Sequence, residues 1–369
     1  MTTFATSDGT KNYAARFAER AAAGHFREQQ GLWLSSLGIG TYLGEPDAST
    51  DKAYTDAIVE AVESGVNVID SAINYRFQRS ERSVGAALAE LARRGHAREE
   101  LLICTKGGFL TPDGDMPADA GEYFAHEYVD TGILREGDVA AGCHSMAPRF
   151  IADQIERSRR NLSVETIDVY YLHNPETQLG EVPREMFNTR VRDAFEFLES
   201  AVAAAKIHYY GMATWNAFRQ PENAQDFLSL ETMESIAREV AGGSHHFRFV
   251  QLPCNLGMTE ALTRSNQSLG ETRVPAVGAA SKLGITLVAS AAMLQGQLSR
   301  NLPPFVTNAL GMKTDAERAL QFVRSTPGIT TALVGMSRAE HVRANLSLVG
   351  VEPASQEQFS RLFQRGEGK

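Results

Sequence analysis

The chain has 369 residues, 43% hydrophobic and 22% charged, with a formal net charge of −9. The acidic balance argues against nonspecific nucleic-acid binding and gives an anionic membrane little to attract. No segment approaches the roughly 20 apolar residues that span a bilayer. The N-terminus lacks a basic stretch followed by an apolar run, so no secretory signal is expected. Cys104, Cys143 and Cys254 are scattered without metal-type spacing and fit reduced thiols in a cytoplasmic protein. A single α/β barrel with insertions reaches this length.

Residues 1–30 are polar, alanine-rich and aperiodic. They read as an N-terminal arm carrying one helix over Tyr13–Ala23, ahead of one barrel unit over 31–369. LGIG (Leu37–Gly40) predicts a first strand. Apolar spacing predicts a helix from Thr50 to Ser64, stopped by Gly65. VNVID (Val66–Asp70) predicts the second strand. The next helix runs Ser80–Arg94, with Ser80 as its N-cap and Gly95 at its end. LLICTK (Leu101–Lys106) predicts the third strand.

Residues 107–147 break this rhythm. The stretch is rich in Gly, Pro and Asp, and loops this long are often functional. Alternation resumes with a helix at Arg149–Leu162 and a strand at Thr166–His173. Helix Pro183–Ala205 and strand Ile207–Met212 follow, then helix Thr232–Ala241 and strand Arg248–Leu252. Helix Pro275–Leu283 and strand Ile285–Ser290 come next. Helix Asp315–Ser325, strand Ile329–Gly335 and helix Ala339–Leu346 complete the series. Repeated β–α units imply parallel strands with right-handed crossovers. Their number favours a closed (β/α)8 TIM barrel with a long insertion after the third strand. An open doubly wound sheet is the competing architecture, but no G-x-G-x-x-G follows the first strand.

Catalytic groups of such barrels sit at the C-terminal ends of strands. Asp70, Lys106 and His173 end the second, third and fourth strands, and Tyr75 lies five residues beyond Asp70. A free tyrosine has a pKa of about 10, too high for efficient acid–base work. A lysine ammonium beside it lowers that pKa, and a carboxylate keeps the lysine charged. A histidine orients a carbonyl oxygen or relays a proton. This set polarises a C=O but contains no obvious nucleophile, so the electrons come from a cofactor.

VNVIDSAINY, SERSVGAAL, ICTKGG and YLHNP together resemble the aldo-keto reductase superfamily, from about Leu37 to Leu348. The resemblance implies a barrel without a Rossmann domain, NADPH across its C-terminal face, and hydride transfer to an aldehyde or ketone. It makes Tyr75 the general acid, tuned by Lys106 and Asp70, and has His173 orient the substrate carbonyl. It places Gln251 (VQLPCN) on the nicotinamide amide. GMATWN falls where many members carry Gly-x-Ser-Asn; Ala213 replaces the serine, which leaves Thr214 or Asn216 to make polar contacts. Ser290 stands where an aromatic residue often stacks on the nicotinamide. Gln295 and Gly296 match the loop over the pyrophosphate. VGMSRAEHVRANL resembles the adenosine-phosphate segment, with Ser337 and Arg338 before a helix where anions are favoured. Arg338 would grip the 2′-phosphate. His341 falls where many relatives carry arginine, and Asn345 where they contact adenine. The bland alternative makes Ser337 an N-cap and Arg338 a surface charge.

Phe109, Tyr123, Phe124, His126, Tyr128, Cys143 and His144 mark the insertion as a lid or pocket wall, or else as a spacer or subunit contact. Three other functions stay open on sequence. One is an NADPH-binding sensor or regulatory subunit with little turnover. A second is a lyase using Lys106 as a Schiff base. A third, a metal hydrolase, rests only on the isolated pair His245–His246. The expected partner is a small carbonyl compound.

Overall fold

The computed structural model describes residues 3–364. Eight parallel strands close into a barrel: Leu37–Gly40, Val68–Asp70, Leu102–Gly107, Ile167–His173, Ile207–Ala213, Phe247–Pro253, Thr286–Ser290 and Ile329–Gly335. Each is followed by a helix on the outside: Ala48–Glu63, Arg79–Arg93, Pro148–Leu162, Arg184–Ala203, Leu230–Ala241, Ala276–Lys282, Asp315–Ser325 and Ala339–Leu346. This is the (β/α)8 architecture expected from the alternating pattern. The glycines expected to stop the first two helices, Gly65 and Gly95, both take positive φ (104° and 90°), a conformation open to a residue without Cβ.

Strand alternation decides which side chains enter the barrel. Val68, Leu102, Cys104, Val169, Tyr171, Phe249, Val288 and Leu333 form the buried interior cluster. The outer faces of the strands join the larger cluster beneath the helices. Packing is tight enough that a Cβ at Gly211 would lie 2.0 Å from the Phe249 carbonyl oxygen. Only glycine fits there.

The N-terminal segment departs from expectation. Its helix is Ser7–Ala15, capped by the Thr6 side chain, and not Tyr13–Ala23. Thr6 N–H donates to Glu99 O at 3.0 Å and Tyr13 Oη to Val62 O at 2.5 Å. These anchors fix the helix upstream of the alanine-rich stretch, so tertiary contacts override propensity. An unforeseen antiparallel hairpin, Phe26–Gln29 with Leu32–Ser35, follows. Leu32, Leu34 and Ala5 join the interior cluster and close the barrel at the strands' N-terminal end.

Ser80 does not cap its helix. Gln78 holds the cap position without a side-chain cap bond. The Ser80 hydroxyl is buried, donating toward Thr41 Oγ1 at 2.6 Å and accepting from Ser71 Oγ at 3.0 Å. The 107–147 stretch is also more ordered than its aperiodic sequence suggests. Phe109 and Ala140 bridge to His144, and Tyr128, Leu134 and Met146 are buried. Arg157 from the following helix pairs with Glu127 at 2.6 Å and lies over the Tyr128 ring.

Candidate active site

The inward alternation that fills the barrel continues to its C-terminal rim. Val68 is followed two residues later by Asp70, Cys104 by Lys106, Tyr171 by His173 and Phe249 by Gln251. Strand pairing sets Asp70 opposite Cys104 and Ala213 opposite both His173 and Gln251. The apolar plug thus carries a polar layer on top.

Lys106 is fully buried. Its Nζ donates to Asp70 Oδ1 at 2.5 Å, to Ser71 O at 2.7 Å and to Tyr75 Oη at 3.3 Å. Burial is the largest single influence and would depress the lysine, but the charges and hydrogen bonds of Asp70 and Tyr75 together outweigh it and hold its pKa above the ordinary value. The environment therefore favours the ammonium form of Lys106, which disfavours the free amine that Schiff-base chemistry needs.

Tyr75 follows the second strand in a constrained turn. Arg76, Phe77 and Gln78 all take left-handed backbone (φ 48°, 56° and 71°), uncommon for non-glycine residues and often found at functional sites. Gly114 N donates to Phe77 O at 2.8 Å and Arg76 pairs with Asp51 at 2.5 Å, holding the turn. The sequence predicts that Lys106 lowers the tyrosine pKa. Lys106 does act in that direction, but burial is the larger effect and the net shift is upward. Tyr75 stays a protonated phenol at neutral pH.

His173 packs edge-on to the Tyr75 ring, with centroids 5.7 Å apart. Burial, with help from Lys106 and His144, pushes its pKa well below the usual histidine value. The ring is neutral and keeps one N–H donor. Among the described residues its Nδ1 is buried without a partner. His144 of the 107–147 stretch, whose Nδ1 faces the Gln178 amide at 3.0 Å, donates from Nε2 to the His173 carbonyl at 2.8 Å. Phe109 packs edge-on against both histidines. Tyr42 lies across Tyr75 at 4.9 Å between centroids and is over half exposed.

The structure thus brings Asp70, Tyr75, Lys106, His173 and Gln251 together. The other candidates share the same barrel end at greater remove. Thr214 follows the fifth strand, buried, and its Oγ1 has no partner among the described residues. Asn216 is engaged internally, donating to Asp226 Oδ2 at 3.0 Å. Ser290 ends the seventh strand opposite Pro253, half-buried. Gln295 and Gly296 are exposed in a turn with positive φ at both. Arg338, not Ser337, occupies the N-cap of the last barrel helix. Arg338 and His341 are exposed, with Glu340 at 4.0 and 3.9 Å, and Asn345 is buried. Their segment joins the centre through pairing of Gly335 with Gly40 and of Gly40 with Asp70.

Residue-by-residue reading missed Glu176. Its Oε1 accepts from the backbone N–H groups of Trp215 (2.7 Å) and Asn216 (3.1 Å), tying the loop after the fourth strand to the loop after the fifth. It lies three residues past His173, and that proximity was the only available signal. His245 and His246 face different glutamates, Glu234 and Glu199. Among the described residues no cluster of three metal-binding side chains occurs, and no helix is long and apolar enough to cross a membrane.

Comparison with known proteins bears on the family and the fold. A reductase from Escherichia coli described as an NADH-specific methylglyoxal reductase is 27% identical over 192 residues, covering 50% of each chain. The chain therefore spans about half the length of that relative. A probable voltage-gated potassium channel subunit beta from Arabidopsis thaliana is 22% identical over 88% of this chain and 90% of its own. Similar solved structures include a glycerol dehydrogenase from Gluconobacter oxydans, with TM-score 0.63, 19% identity and coverage of 93% and 95%. Another is an aldo/keto reductase from Klebsiella pneumoniae in complex with NADP and acetate, with TM-score 0.61, 18% identity and coverage of 92% and 94%. The sequence profile of the Aldo/keto reductase family matches residues 36–365, nearly the whole chain, and the protein belongs to that oxidoreductase family.

Proposed function

We propose that the protein reduces an aldehyde or ketone with NADPH, using Tyr75 as the proton donor. The observation that carries this reading is the contact of Lys106 Nζ with both Asp70 and Tyr75 Oη, beside a neutral His173. A phenol kept protonated by burial has a proton to give. The adjacent ammonium stabilises the phenolate left behind. The neutral imidazole N–H of His173 orients the substrate oxygen toward that phenol.

The residues present fit the cofactor. A buried hydroxyl without a partner among the described residues, Thr214 Oγ1, stands beside Gln251 at the rim, where the nicotinamide amide needs polar contacts. Orphaned buried polar atoms call for an absent partner. Arg338 is exposed, with Glu340 no nearer than 4.0 Å, and would meet the 2′-phosphate. When bound, NADPH supplies the hydride that the carbonyl carbon accepts. Phe109 and Tyr42 flank His173 and Tyr75 and would form the substrate walls.

The test is NADPH binding followed by a carbonyl panel. Turnover of any member supports the reductase. Tight NADPH binding with no turnover on a broad panel would favour a sensor or regulatory subunit, the role suggested by the channel-subunit relative.

A further inference from the structure

We propose that a cleft between Arg27 and Arg324, at the barrel end opposite Tyr75, binds a phosphate-class dianion. Arg27 lies on the first strand of the N-terminal hairpin and Arg324 near the end of helix Asp315–Ser325. They line a cleft of about 340 Å³ together with Gln29, Thr326, Gly328 and Thr330. That volume lies at the lower end of small-molecule sites. It leaves room for the remainder of a small phosphorylated compound.

The charge balance of this cleft is unusual. Arg324 is fully buried, and its Nε has no partner among the described residues. Neither arginine pairs with a carboxylate among the described residues. Arg27 donates to the carbonyls of Gly24, Ile329, Thr330 and Arg324. Arg324 donates to those of Leu348 and Val351. Carbonyl dipoles satisfy hydrogen bonds, but they do not neutralise two like charges in a desolvated place. Burial lowers the pKa of Arg27 to about 10 and of Arg324 to about 9, and the Arg27 charge adds to the effect on Arg324. The buried His25 adds no counter-charge. Its ring contacts Ser36 Oγ and Gly65 O, and burial first, then both arginines, hold it neutral. A carboxylate would balance one guanidinium, whereas a phosphoryl dianion carries enough charge to balance both.

The test is inorganic phosphate titrated into the protein with NADPH present, followed by thermal unfolding at constant ionic strength. The expected result is a saturable Tm rise of about 2 °C. Chloride should not produce it, Arg338→Ala should retain it, and Arg27→Gln should lose it. Phosphate should also protect Arg27 of the wild type from phenylglyoxal labelling, a readout independent of any variant's folding. An equal effect from chloride would reduce the matter to screening. Loss in Arg338→Ala would move the site to the other barrel end. Absence of both stabilisation and protection would leave the carbonyl groups as sufficient compensation. Each of these three results overturns the proposal.

Discussion

The Gln251 side-chain amide donates to Asp70 Oδ2 at 2.8 Å while Lys106 donates to Oδ1 of the same carboxylate. Asp70 is thus held from two strands, the third and the sixth, that do not neighbour each other in the barrel. One Gln251 amide proton is committed to this bond. Any contact from Gln251 to a nicotinamide amide uses its oxygen or its second proton. On the proposed reading of Gln251 as a nicotinamide contact, the cofactor would be joined mechanically to the carboxylate beside Lys106.

Replacing Asp70 tests that arrangement. Asp70→Asn leaves a fully buried ammonium without its counter-ion, at a cost of about 3–5 kcal/mol while the lysine stays charged. The sign with pH also changes. In the wild type the Lys106 pKa is raised, so its stabilisation is complete below the unfolded value of 10.5 and is lost as pH rises through the folded pKa. In the variant, burial without Asp70 lowers the pKa, so stability should climb with pH below 10.5. Urea unfolding across an alkaline pH series distinguishes the two slopes. A parallel pH dependence would remove Asp70 as the group that holds the lysine charged.

Tyr75→Phe keeps the ring that packs against His173 and Tyr42 and deletes only the phenolic hydroxyl, the proposed proton donor. NADPH affinity should change little, while the reduction rate falls about 10²–10⁴-fold, the usual worth of positioned acid catalysis. Single-turnover oxidation of bound NADPH is the measurement. Near-normal turnover would assign the proton to another group.

Much of this site could be read directly from the chain, and the reason is periodicity. Asp70, Lys106, His173 and Gln251 each sit two residues after an inward apolar residue. A strand of period two therefore delivers them to the same interior. Tyr75 required more, because nothing local shows that Arg76, Phe77 and Gln78 turn left-handed to aim it. The hairpin beneath the barrel stayed hidden for a related reason. Its two-residue turn is Gln30–Gly31, with positive φ at both, and glutamine is not a usual signal for such a turn. The sign of the Tyr75 pKa shift is not legible in the chain, because a sequence shows the neighbouring charge but not the depth of burial.

Arg338 tests the cofactor preference. Its side chain is exposed and only loosely near Glu340 at 4.0 Å, so no internal bond has to break before it meets a phosphate. A charge-assisted contact of about 1.5–3 kcal/mol corresponds to roughly 10–150-fold in affinity. Arg338→Ala should weaken NADPH by that factor and leave NADH nearly unchanged, as read by fluorescence titration of both. Equal losses would show that Arg338 does not read the 2′-phosphate.

Phe109 tests whether the insertion shapes the pocket. It is the insertion residue in edge contact with His173, at 5.2 Å between centroids. Phe109→Ala removes that wall but leaves the buried Tyr128 and Leu134 that anchor the segment. The ranking of kcat/KM across carbonyl substrates should shift toward bulkier members, with Tm nearly constant. An unchanged ranking would make the insertion a structural element only.

Glu176 should leave a signature in stability against pH. Burial is the main cause that lifts its pKa from 4.5 to about 7, and Asp226 contributes in the same direction. Between those values the folded protein binds a proton that the unfolded chain has released, so stability falls as pH rises from about 4.5 to about 7. The full penalty above that window is about 3 kcal/mol. Glu176→Gln keeps an oxygen for the Trp215 and Asn216 N–H groups but cannot ionise. Its unfolding free energy should lack this decline, so the gap between variant and wild type should widen toward neutral pH. Chemical denaturation at several pH values measures the gap. A constant difference would mean that Glu176 does not titrate in that window.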